Sequence, residues 1–171
     1  MWTGSTRAAA TASSSSSADT MDDVNLFLAH AIQLEFDAAR RYEDLKVSMQ
    51  TIGNHEAEAF FAKMAEFSRL HLKDAMRRGG FRDIPQLAAH EWQWPEGVSP
   101  EQAAWAGVDG FVDEGTAYRL ALDGEERSLL FYAAIVAGTR DHEVRRMAKT
   151  FADEESEHVA ELERIIARHA A

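Results

Sequence analysis

From residue 20 onward the chain places apolar residues at steps of three and four. Leu28, Ala31, Ile32, Glu35, Ala38, Tyr42, Leu45 and Met49 fall on one face of a helix. Thr20 followed by Asp23 predicts its start, as an N-cap with an acidic residue at the third helical position, and Gly53 predicts its end. Asn54 predicts the cap of a second helix, whose face carries Ala57, Phe61, Met64, Ser68, His71 and Ala75 before Gly79-Gly80 stops it. A third helix runs from about Thr116 with Tyr118, Ala121, Glu125, Ser128, Tyr132 and Ile135 on one face, and Gly138 closes it. Asp141 caps a fourth, whose face holds Val144, Ala148, Phe151, Glu155, His158, Leu162 and Ile165. Nothing in the chain alternates long enough to predict a strand.

Between the second and third helices, Phe81 to about Gly115, the texture changes. All three prolines and three of the four tryptophans (Trp92, Trp94 and Trp105) lie there. Ser99-Pro100-Glu101 predicts a short helix start with proline at the first position. A connection of this length either has structure of its own or crosses the molecule. Two helices, a crossover and two more helices predict an all-α four-helix bundle with one long connection, spanning residues 21–171. The tryptophans are expected as packing anchors of the crossover. Residues 1–20 are rich in Ser, Ala and Thr and hold almost no large apolar side chain. They predict a disordered leader, and with one Arg and no apolar stretch they do not form a secretory signal.

The two halves can be superposed. Asn54-His55-Glu56 falls on Asp141-His142-Glu143, and at that offset His71 falls on His158. A slightly different offset brings Ala31 onto Ala121, Glu35 onto Glu125 and Tyr42 onto Tyr132. A duplicated helical hairpin explains this, and its matching points are polar residues on otherwise apolar faces.

Composition narrows the functions. The 171 residues carry 18 Lys+Arg against 29 Asp+Glu, a net charge of −11 that disfavours nucleic acid and anionic membrane surfaces. No apolar run approaches the roughly 20 residues of a bilayer span. The absence of cysteine excludes a disulfide framework, thiolate metal sites and a thiol nucleophile. It fits a cytoplasmic protein without requiring one.

The chemistry then rests on Glu35, His71, Glu125, Glu155 and His158. One glutamate on a helix stripe ordinarily reaches water, and a lone histidine there is ordinarily a hydrogen-bonded core residue. All five together, related by the internal repeat, are harder to explain as packing. A buried carboxylate costs several kcal/mol unless it is paired or bound to metal, and few Lys or Arg residues share these faces. Glu155 and His158 are neighbours on one helix face at i and i+3. That step, joined by glutamates from other helices, is how bundle cores hold two iron or manganese ions. No catalytic residue is expected beyond these ligands. Tyr42 and Tyr132, seven residues past Glu35 and Glu125, are core residues or hydrogen-bond donors to the ligands. His55 and His142 are expected on the surface, and His30, His90 and His169 receive no role.

With these residues in place, AIQLEFDAARRY (31–42), FFAKMAEFSRLH (60–71), GEERSLLFYAAIVA (124–137) and FADEESEHVAELERI (151–165) resemble the four ligand helices of the ferritin-like superfamily, and within it the rubrerythrin-type di-iron proteins. The resemblance covers about residues 22–168. It implies a carboxylate from Glu35 and from Glu125, and a Glu-x-x-His pair from helices two and four. Helix four supplies Glu155 and His158. Helix two supplies His71 but has Ser68 where the glutamate should stand, and serine is a poor iron ligand. Glu66 is no substitute, since two residues is about 200° around a helix. The outcomes are an asymmetric two-iron site with water beside Ser68, a single-iron site, or a site without turnover; manganese is the other metal such a site takes. Ser128 also stands where some rubrerythrins carry an extra acidic ligand. The resemblance implies an oxidoreductase acting on hydrogen peroxide or dioxygen, alternatively a protein that binds or stores iron or manganese, or a scaffold that has lost its metal. It further implies a homodimer and, since no Cys-rich rubredoxin segment is present, a separate electron-donor protein.

Overall fold

The computed structural model describes residues 20–106, 108 and 112–169. Apart from Thr20, the expected leader lies outside the described residues. Helices α1 (Val24–Thr51), α2 (His55–Gly79), α3 (Pro100–Ala104), α4 (Glu114–Gly138) and α5 (His142–His169) make up the regular structure, with no strand among the described residues. The long helices α1, α2, α4 and α5 form the ferritin-like bundle. α1 packs along α2 and α4 along α5, as two hairpins, and α3 lies in the crossover against α4 and α1.

Short polar residues fix where each helix begins. The side chains of Asn54, Ser99, Asp113 and Asp141 accept hydrogen bonds from the backbone N–H three residues on, each worth about 1 kcal/mol. α1 departs from the sequence expectation. Asp23 is its cap and accepts from the Leu26 N–H at 2.8 Å, because Thr20 lies further out and donates its hydroxyl to Asp22. Asp113 likewise starts α4 two residues before Thr116. α1 and α2 are joined through Gly53 at φ 75°, and α2 ends at Gly80 with φ 67°, left-handed conformations that cost glycine little. α4 does not end that way: after Gly138, extended Thr139 leads into Asp141. Asp22, just before α1 and far away in sequence, clasps that turn, accepting from the Arg140 N–H at 2.7 Å and the Thr139 hydroxyl at 2.9 Å.

The core forms two apolar layers. One gathers Phe27, Ile32, Phe131, Tyr132, Met147 and Phe151. The other gathers Leu45, Met49, Phe61, Tyr118, Leu162 and Ile165. Between them along the helices lie Glu35, Glu125 and Glu155, all buried.

The crossover is seated by residues whose part the sequence did not reveal. His30, to which no role was given, is completely buried. Its Nδ1–H donates to the Leu26 carbonyl at 2.8 Å, so Nε2 carries the lone pair that accepts the Gln93 N–H at 2.8 Å. The Trp92 and Trp94 rings close around it at 5.0 and 4.6 Å, edge to face, so these two tryptophans anchor the crossover as expected. Further along, buried Asp37 accepts from the Ser99 hydroxyl at 2.6 Å and from Gln102 Nε2 at 3.1 Å, tying the start of α3 to α1. Trp105 packs under the Arg41 guanidinium, 5.1 Å from the ring centre.

Candidate metal centre

The fold brings all five sequence-predicted residues to one level of the bundle. Each is placed by its helix: Glu35 by α1, His71 by α2, Glu125 by α4, and Glu155 with His158 by α5. Glu125, Glu155 and His158 each offer a ligand atom, and these atoms lie within 4.8 Å of one another, a group that could hold a metal ion. His158 Nδ1 is 3.1 Å from Glu125 Oε2 and 3.5 Å from Glu155 Oε2. Across the core, His71 Nδ1 is 3.5 Å from Glu35 Oε1, an ion-pair distance without hydrogen-bond geometry, and its Nε2 is 3.8 Å from Glu154. The two imidazoles face each other nearly parallel, with ring centres 6.3 Å apart. A narrow cleft of about 40 Å³, lined by His71, Met147, Phe151 and Glu154 among others, opens beside them between α2 and α5.

The electrostatics show a site with too much negative charge for a closed core. Burial pushes the Glu155 carboxyl well up, and the charge of Glu125 adds to it. Against the same burial, hydrogen bonds from Glu155, His158 and Tyr42 hold the Glu125 carboxyl down. Glu35 is raised by burial, despite His71. His71 is raised by its contact with Glu35, and His158 is raised by Glu125 although burial opposes it.

The two tyrosines, equivalent in the repeat, differ in the structure. The Tyr42 hydroxyl donates to Glu125 Oε1. The Tyr132 hydroxyl is buried with no hydrogen-bond partner. Ser68 is buried one turn before His71, and among the described residues it makes no hydrogen bond to the five.

One carboxylate at this level escaped the sequence reading. Glu101 of α3 is 4% exposed, and the Ser128 hydroxyl donates to its Oε1 at 3.1 Å. Burial pushes its carboxyl well up, and Glu125 is the next cause. A glutamate in the first turn of a short helix ordinarily faces water, where it favours the helix dipole, so the sequence carries no signal of its burial.

These residues fit a metal ion. Four glutamates (Glu35, Glu101, Glu125 and Glu155) are buried at this level, while no Lys or Arg is buried among the described residues. Glu35 Oε1 is sequestered without any hydrogen-bond partner, a state that costs free energy until a cation or proton meets it. Carboxylate oxygens with imidazole nitrogens suit Fe(II) or Mn(II).

The fold and this Glu/His layer define a ferritin-like bundle with a candidate metal-binding core. No protein-family model matches the chain, and no curated protein matches it. Among solved structures it is similar to an uncharacterized conserved protein from Magnetospirillum magnetotacticum MS-1, with 34% sequence identity and a TM-score of 0.68, over 83% of this chain and 92% of that one. The chain belongs to the family of that conserved protein. No helix among the described residues is long and apolar enough to cross a membrane.

Proposed function

We propose that this chain is a rubrerythrin-like di-iron oxidoreductase that reduces hydrogen peroxide. The observation that carries the reading is Glu35 Oε1, buried without a hydrogen-bond partner in a layer of buried glutamates and half-buried imidazoles, with no Lys or Arg buried among the described residues. Glu35 with His71, and Glu125 with Glu155 and His158, are the residues that would hold iron. Two ferrous ions bound there would supply one electron each, enough to turn one peroxide and two protons into two waters. Around it the chain does three things. Tyr42 fixes Glu125 through Oε1, leaving Oε2 toward His158. The apolar layers on either side exclude bulk water. The cleft beside His71 has room for about one or two water-sized molecules, enough for peroxide and too small for bulky reductants. Electrons would come from a separate donor protein, since the chain has no cysteine for an iron–sulfur or rubredoxin centre. Pairing of two copies belongs to the same proposal.

The test is an anaerobic Fe(II) titration of the full chain, followed by peroxide. Two irons per chain, oxidised within the mixing time by stoichiometric peroxide, are expected. One iron would show that Ser68 has changed the number of ions. No binding, or binding without reaction, would overturn the reading as an oxidoreductase.

A further inference from the structure

We propose that Glu101, carried into the bundle by the crossover and seated against α4 beside Glu125, is a further ligand of the metal centre and brings its buried glutamates to four. The inference rests on the reading of the core as a metal site. Its first support is space. α4 has glycine at position 124, one residue before Glu125, and a Cβ there would stand 2.8 Å from Glu101 Oε2 and 3.0 Å from Oε1. A side chain there would push the carboxylate away from α4. Gly124 is helical with no positive φ, so backbone conformation does not require glycine at that position.

The second support is how the carboxylate is held. Ser128, one turn past Gly124 on α4, donates to Oε1. Asp37 holds Ser99 and Gln102 on either side of Glu101 in sequence. The chain thus builds a seat for a buried acid beside Glu125, and among the described residues its hydrogen-bond partner is a neutral hydroxyl. Ser128 stands where a long-helix acid would be an alternative source of the same charge, and its hydroxyl instead steadies the acid that arrives from outside.

The third support is charge. Glu35, Glu125 and Glu155 alone bring three negative charges against the four positive charges of two divalent ions. Glu101 makes the count equal, in a core with no buried Lys or Arg among the described residues and an unpartnered oxygen already waiting on Glu35.

The experiment counts metal by binding, without turnover. The full-length chain and its Glu101→Gln and Gly124→Ala variants are titrated anaerobically with Fe(II) alone, with folding checked by circular dichroism. Glu101→Gln keeps the shape and the capacity to accept from Ser128 but removes the charge. Gly124→Ala keeps the charge but displaces it, on a helix that alanine should favour. Wild type is expected to bind two irons, and each variant to lose one or to hold it at least tenfold more weakly. If Glu101→Gln is folded and binds two irons with wild-type affinity, the inference is overturned. Should that variant not fold, the same result from Gly124→Ala overturns it. A merely structural Glu101 would lower thermal stability and leave the iron count unmoved. Absence of iron from the wild type would instead overturn the metal reading on which the inference stands.

Discussion

At the scale of single residues, the two tyrosines separate what repetition predicts from what the fold delivers. Tyr42 and Tyr132 occupy equivalent places in the duplicated halves, yet one hydroxyl meets Glu125 and the other meets nothing. Removing a hydrogen bond to a buried charge costs about 1.5–3 kcal/mol, while removing an unpartnered buried hydroxyl is neutral or favourable. Tyr42→Phe should therefore destabilise the metal-free protein by about that amount, and Tyr132→Phe should change it by less than about 0.5 kcal/mol or stabilise it. Urea unfolding of both variants checks this, and equal losses would mean the hydroxyls are equivalent after all. The five ligand candidates were legible because each interrupts an apolar stripe with a polar group the stripe cannot satisfy. Glu101 interrupts no stripe. It sits at a helix start where acids are ordinary, and only Gly124, 23 positions further along the chain and without meaning by itself, records its presence.

At the scale of elements, the four long helices were legible from periodicity, and their boundaries shifted by a few residues where a stronger cap competed, as Asp23 does with Thr20. The crossover was legible as a connection with a short helix at Ser99-Pro100 and tryptophan anchors, but its polar attachments were not, because they are single groups far apart in sequence. His30 shows how such an attachment behaves. Burial holds its imidazole below its ordinary pKa, and its neutral Nε2 must stay unprotonated to accept from Gln93. A depressed folded-state pKa contributes stability that is present above the unfolded value of about 6.5 and is lost as pH falls through the folded one. His71 and His158 are raised and act with the opposite sign, so wild type alone would mix the effects. The stability difference between wild type and His30→Gln isolates the residue. It should be largest above pH 7 and shrink steadily toward pH 5 in denaturant titrations, and a difference that grows on acidification would contradict the assigned tautomer.

For the whole molecule, the consequence of the acidic layer is that folding and metal binding are linked. An ion that binds only the folded chain stabilises it by about 2.7 kcal/mol at a hundredfold excess over Kd. For a chain of this size that is a rise in Tm of about 5–10 °C. Mn(II) alone should produce such a rise in thermal circular dichroism, and Glu35→Gln should remove at least half of it. An undiminished rise in the variant would place the metal on the acidic surface, not in the core. Separation along the chain adds an order in time. Within each hairpin the contacting helices follow one another directly. The ties that seat the crossover instead join Ser99 to Asp37 and Gln93 to His30, 62 and 63 residues apart. Closing loops of that length costs chain entropy before any contact offsets it. The hairpins are the parts the chain assembles cheaply, and the acid at position 101 is the piece whose arrival waits on the most distant contacts.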